Sequence, residues 1–256
     1  MAIPDPIPFL LVLARFGGLI VAAPLFGHLL VPMRVRAAMA VLFATALSPL
    51  VPQAATLPTS LWQLGGAVAC EAALGTLMGI VAQLVFAGVQ LGGQLAGMQM
   101  GFGMANLIDP AAHAHVTVIA EWQQLLALLV FLLLDVHHVL LRAVLESFQV
   151  APPGGLPFLG GVALRDAVGL AGEVFVIGVR LAAPVLLVIL LTNGAMGVLA
   201  RTVPQLNVFV VGFPVNVGVG LLVLGAALPF AVGFLTQQFG QLAPMLDGLV
   251  RGLAHG

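Results

Sequence analysis

Apolar residues in this chain come in long blocks, and polar residues fall mostly between the blocks rather than on alternate helical faces. The first block runs from about Ile7 to Val31, with Arg15 inside it and Pro24 near its middle. It is long enough for a membrane span, which needs about 20 apolar residues. A short basic turn, Pro32-Met33-Arg34-Val35-Arg36, leads into a brief second block, about Ala37 to Leu50, and then a proline-bearing loop from Ser48 to Ser60. The third block, about Leu61 to Leu95, predicts one helix of about 50 Å at 1.5 Å per residue, longer than a bilayer core. The fourth, about Val118 to Phe148, carries Glu121, Asp135, His137, His138, Arg142 and Glu146. The loop Ala151 to Gly161 (APPGGLPFLGG) divides the chain more clearly than any other linker. Beyond it the pattern predicts a helical hairpin: about Ala167 to Ala200, a turn at Arg201 to Pro214, then Val215 to Phe239 and an amphipathic tail.

Composition turns this pattern into a class. The 256 residues are 61% hydrophobic and 7% charged, against about 25% charged in soluble domains. The chain is therefore expected to be an all-α membrane-embedded protein. A net charge of −1, without a single lysine, leaves no footprint for nucleic acid or for a polybasic lipid-binding tail. Cys70 is the one cysteine and lies in an apolar run, so an intramolecular disulfide is excluded. The start, MAIPDPIPFL, has no basic n-region and does not resemble a cleavable signal peptide. Tyrosine is absent and tryptophan scarce, which thins the aromatic belts usual at membrane interfaces. Arginines at 34, 36, 142, 165, 201 and 251 do not fall consistently on one side of six spans, so the positive-inside rule fails here.

Within the third block, Gly75 and Gly79 form a GxxxG, and Gly88, Gly92 and Gly93 continue small residues near helical spacing. Such faces let helix backbones approach closely. Gln83, Gln90, Gln94 and Gln99 would need partners in lipid, so this helix is expected to pack tightly against neighbours.

Gly97 to Pro110, GMQMGFGMANLIDP, interrupts the pattern. Gly97, Gly101 and Gly103 loosen the backbone, Met98, Met100 and Met104 supply adaptable side chains, and Asp109-Pro110 stops a preceding helix. The residues fit a deformable constriction. Taken alone, they fit an ordinary glycine-rich helix end with core methionines at least as well.

Asp135, His137 and His138, with His113 and His115 upstream, raise a metal or proton site. Adjacent His137 and His138 should point to different helix faces, and no HExxH or cysteine cluster accompanies them, so no metal site is expected. Arg15, Glu71, Glu121, Asp135, Glu173 and Arg180 are intramembrane charges; pairing between helices is favoured over separate functional sites. No nucleophile elbow, P-loop or dinucleotide fingerprint is present, and neither an enzyme nor a bound cofactor is expected. The connector Thr202 to Pro214 (TVPQLNVFVVGFP) combines Pro204, Gln205, Asn207, Gly212 and Pro214, with Val208 to Val211 reading as extended or buried.

That connector carries a resemblance. Asn193 to Pro214, NGAMGVLARTVPQLNVFVVGFP, looks like the flagellar biosynthetic protein FliR family and the T-type proteins of virulence type III secretion. Arg201, Pro204-Gln205, Leu206 to Phe209 and Gly212-Phe213-Pro214 fit the family pattern. So do Arg15, Pro24, Pro32 to Arg36, Glu71 with Gly75 and Gly79, GMQMGF, Asp109-Pro110, FLLLDVHHVLL (Phe131 to Leu141) and RLAAP (Arg180 to Pro184). One departure is Val136, where the family prefers glycine, which calls a tight turn at that point into question.

The resemblance implies a non-enzymatic core subunit of the flagellar protein export gate in the bacterial inner membrane, at the flagellar basal body. It would assemble with FliP and FliQ, be joined by FlhB and FlhA, and pass unfolded substrates. It implies bent helical hairpins: a FliP-like part at 1–150 with a gate stretch near 97–116, a linker at 151–161, and a FliQ-like hairpin with tail at 162–256. The gate or plug maps onto Met98, Met100, Phe102, Met104, Asn106 and Asp109. Assembly contacts map onto Arg201, Pro204, Gln205, Asn207, Phe209, Gly212 and Pro214. The alternatives are the virulence homologue and a proton-coupled transporter or channel using Asp135 and the histidines.

Overall fold

In a computed structural model, the apolar blocks fold into helices, and every regular element among the described residues is helical. The described residues are 6–27, 31–52, 58–104, 117–154, 161–203 and 207–255; within them the side chains of 104, 161–168, 170, 171, 208, 209 and 253–255 are not described. The helices are α1 (Pro6–Ala22), α2 (Met33–Leu47), α3 (Leu61–Met100), α4 (Val118–Leu133), α5 (Val136–Val150), α6 (Gly161–Thr202), α7 (Val208–Gly240) and α8 (Leu242–His255). Single 3-10 turns follow α2 and α3, at Ser48–Leu50 and Phe102–Met104. Among the described residues four helical stretches are long and apolar enough to cross a membrane: Met33–Leu50, Leu61–Met100, Gly172–Thr202 and Val210–Gly252. A fifth arises if α4 and α5, bent by 63°, form one broken span. The protein is an all-α membrane protein.

Several boundaries differ from the sequence expectation. Helix α1 ends at Ala22, short of Val31, and its 17 residues fall below span length. Helix α3 runs past the expected end at Leu95 and stops at Met100, because Gly101 takes φ +101° and its N–H returns to the Met98 carbonyl. The block from Val118 to Phe148 is two helices, broken where Asp135 adopts φ +53°. Val208 to Val211, expected as extended or buried, form the first turn of α7, where Val210 and Val211 are exposed and their N–H groups reach the Asn207 carbonyl.

Packing divides the chain into two units, each discontinuous in sequence. The first comprises residues 1–84, 131–171 and 238–256. Its α1 and α3 meet through glycine: the Gly75 Cα faces the Arg15 carbonyl, Gly79 faces Ala22, and Gly18 of α1 faces the Ala72 carbonyl. A Cβ on Gly75 or Gly18 would overlap backbone atoms, so the GxxxG face is used for close helix approach. Phe16 and Phe148 pack with ring centroids 6.3 Å apart, and Phe131 meets Phe239 edge-on at 5.5 Å. The amphipathic tail is α8, whose Leu242, Leu246, Leu249 and Val250 are buried while Asp247 and Arg251 are exposed.

The second unit comprises residues 85–130 and 172–237. Gly88 and Gly92 of α3 accept Ile177 and Gly178 of α6, and Gly93 accepts Ala120 of α4. Thr117 caps α4 by accepting the Ala120 N–H at 3.3 Å, and its hydroxyl donates to the Gly93 carbonyl at 3.2 Å. Its core holds Ala96, Met100, Ile119, Val185, Ile189 and Leu224.

Candidate functional site

The most concentrated chemistry in the first unit is a buried arginine. Arg15 sits on α1 with no exposed surface, and Glu71 of α3 is 1% exposed. Arg15 Nε donates to Glu71 Oε2 at 2.6 Å, Nη1 to Ser147 Oγ at 2.8 Å and Nη2 to the Ala151 carbonyl at 2.9 Å. The guanidinium also lies 3.9 Å from the Phe148 ring centroid. Glu71 Oε1 accepts the Gly154 N–H at 3.1 Å, and the Ser147 hydroxyl donates to the Val144 carbonyl at 2.6 Å. Two opposite charges are thus neutralised together, with further hydrogen bonds from neighbouring groups, the condition under which a buried pair is tolerated. The pairing of intramembrane charges was expected; Ser147, Phe148, Ala151 and Gly154 as its other members were not. A serine and two loop backbone groups carry no sequence signal for such a role.

The glycine–methionine stretch is described up to residue 104. Met98 is 56% exposed, whereas Met100, two residues on, is fully buried and lies against Gly220. Phe102 packs against the same core. Gly101 abuts the Phe213 ring of α7. The Met104 side chain, Asn106 and Asp109 lie outside the described residues or atoms.

In the hairpin connector, Arg201 and Asn207 are exposed, and Asn207 Oδ1 accepts the Val210 N–H at 3.4 Å. Gly212 and Pro214 lie inside α7; Pro204 and Gln205 fall outside the described residues, as does the Phe209 side chain. Asn216 Nδ2 donates to Asn193 Oδ1 at 3.0 Å, tying α7 to α6. Asn193 was in the quoted motif, while Asn216 was missed.

At the α4–α5 break, Asp135 and the two histidines come together. His138 Nδ1 stands 3.4 Å and His137 Nε2 3.9 Å from Asp135 Oδ1, and the two imidazole rings are 4.1 Å apart. The expectation that adjacent histidines face apart is corrected here. Both lie in the first turn of α5, where the left-handed Asp135 brings its carboxylate over the helix start. The remaining intramembrane charges do not join: Glu121 and Glu173 are exposed, and the exposed Arg180 has its guanidinium 5.9 Å from the Phe234 ring.

The model of the family described as "Bacterial export proteins, family 1" matches residues 7–242. The chain belongs to this family. Among its relatives, the Flagellar biosynthetic protein FliR of Escherichia coli (strain K12) is 34% identical over 242 residues, covering 94% of this chain and 92% of the relative. FliR of Bacillus subtilis (strain 168) is 34% identical over 218 residues, 84% of each chain. FliR of Caulobacter vibrioides is 31% identical over 237 residues, covering 91% of this chain and 92% of the relative. The match of this export-protein family therefore spans both packing units and nearly all the sequence from which the resemblance was read.

Proposed function

We propose that this protein is a non-enzymatic core subunit of the flagellar type III protein export gate in the bacterial inner membrane, built into the basal body with FliP, FliQ, FlhB and FlhA partners. The carrying observation is the near-full-length similarity to flagellar FliR proteins at 31–34% identity. It favours the flagellar over the virulence reading because these relatives are flagellar by name.

In this reading unfolded substrates pass beside the stretch after α3 while ions are held back. The lining comes from Met98, Phe102, Met104, Asn106 and Asp109, with Met100 anchoring the stretch from the core. An exposed, unbranched Met98 on the last turn of α3, ahead of a glycine-terminated helix end, supports this role. Arg201, Pro204, Gln205, Asn207, Phe209, Gly212 and Pro214 form the contacts to neighbouring subunits. The division into a FliP-like part, a linker at 151–161 and a FliQ-like hairpin belongs to the same proposal.

The deciding experiment is co-expression with the FliP and FliQ homologues of the same genome and affinity capture on this subunit. Recovery of both smaller subunits in a stable complex is expected. A chain that purifies alone as a stable particle and drives proton-coupled solute uptake in vesicles would refute the gate assignment.

A further inference from the structure

The geometry points to a divalent-cation site of the zinc class at Asp135, His137 and His138, where the α4–α5 axis turns by 63°. The inference stands apart from the export role and uses residues to which that role assigns nothing.

Asp135 is the sole non-glycine residue at positive φ among those described, a conformation that costs an L-residue energy and persists where something holds it. It occupies the N-cap position of α5, where an aspartate ordinarily accepts a backbone N–H of the first turn. Here its side chain makes no capping hydrogen bond. The carboxylate instead faces the two imidazoles, with one donor atom from each of the three side chains lying within 4.8 Å of the others.

The distances are those of charge contacts without a direct hydrogen bond. At 3.4 and 3.9 Å, both carboxylate–imidazole approaches exceed the 2.7–3.2 Å typical of a hydrogen bond. Donors about 2.1 Å from one ion and tetrahedrally disposed lie about 3.4 Å apart; the His138–Asp135 approach already has that length, and the His137–Asp135 approach would have to close by about 0.5 Å. The two imidazole rings, 4.1 Å apart between centroids, are close enough to share one cation. Among the described residues His137 Nδ1 is enclosed without a hydrogen-bond partner.

Two nitrogens and one carboxylate oxygen select borderline ions such as Zn²⁺ or Co²⁺ over Mg²⁺ and Ca²⁺, which prefer all-oxygen shells. With three protein donors, two of them on exposed residues, the fourth position is left to water or to a donor from a neighbouring subunit. An ion held there would staple Asp135 to the first turn of α5.

The test uses the full chain in detergent, carrying a tag without histidine, stripped of metal and titrated with Co²⁺ alone. About one Co²⁺ per chain with the intense visible absorption of a tetrahedral site is expected. The H137Q/H138Q variant should lose it, and D135N should weaken it by at least about 10-fold, the lower end of losses seen even for outer-shell partners. The H28Q/H255Q control should retain it. Absence of uptake at micromolar Co²⁺, or uptake unchanged in H137Q/H138Q, overturns the site. A second measurement needs no variant: Zn²⁺ should slow hydrogen exchange of the His138 and Val139 amides, which donate to the Asp135 carbonyl. Unchanged exchange at saturating Zn²⁺ overturns the site equally.

Discussion

Removing the Glu71 carboxylate while leaving Arg15 in place gives the sharpest test of how the first unit holds together. Both side chains are essentially inaccessible, at 0% and 1% exposure. Glu71→Ala would strand a guanidinium against Phe148, Ser147 and one carbonyl, with no counter-charge among the partners described above. Breaking a buried pair from one side costs about 3–5 kcal/mol. At about 2–4 °C per kcal/mol for a chain of this size, the melting temperature should fall by about 6–20 °C. The exposed pair Arg251–Asp247, 2.9 Å apart and 64% and 48% exposed, supplies the control. Such a pair is worth about 0–1 kcal/mol, so Asp247→Ala should shift the melt by no more than about 4 °C. The double variant Arg15→Met/Glu71→Leu removes both charges and keeps most of the volume, and should recover at least about half the loss. What it does not recover is the hydrogen bonding of the Ala151 carbonyl and Gly154 N–H, both only partly buried. The assay is fluorescence-detected size-exclusion after heating steps in one detergent. If Glu71→Ala melts with Asp247→Ala, or the double variant melts below the single, the clasp is not what stabilises this unit.

Three further outcomes follow from the packing. Gly75→Val should destabilise by about 1–3 kcal/mol, the scale of overpacking, because its side chain meets the Arg15 carbonyl; the same heating assay reads it. Met100→Ala should cost about 2–5 kcal/mol as a core truncation, while Met98→Ala should leave stability within about 0.5 kcal/mol. If Met98→Ala nevertheless raises ion conductance of the assembled complex, that separates a lining role from a structural one; unchanged conductance and export would count against Met98 as part of a seal. Gly101→Ala should lower the melting temperature by straining a φ of +101° and crowding Phe213, whereas Gly103→Ala, whose neighbours leave ordinary contact distances, should be nearly silent in the same melt.

Much of the helical plan was legible because long apolar blocks leave few other ways to satisfy the backbone in lipid. The GxxxG at Gly75 and Gly79 read correctly as a close-approach face, since that inference needs only side-chain size and spacing. The break at Asp135 was not legible. Phe131 to Leu141 is apolar on both sides, and hydropathy says nothing about the φ of one aspartate. The Val136 departure suggested a weaker turn there, yet Asp135 itself takes the left-handed conformation that a following glycine would have made easy. The end of α3 was drawn five residues early, at Leu95, because hydropathy thins out there while the helix continues to the stop at Gly101. The unlike environments of Met98 and Met100 could have been anticipated: residues two apart on a helix point about 200° from each other. The network around Arg15 could not, because its other members meet only after α1, α3, α5 and the following loop have packed.

That clasp also sets a clock for biosynthesis. Arg15 leaves the ribosome with α1, but Glu71 follows 56 residues later and Ala151 follows 136 residues later. At about 5–20 residues per second, the arginine waits about 3–11 s for its counter-charge and about 7–27 s for its last acceptor. Throughout that interval α1 carries a lone cation that hydrocarbon does not welcome. Helix α1 is therefore expected to stay out of the hydrocarbon until α3 emerges. Its entry into the fold is then a late event, although it is made before α3.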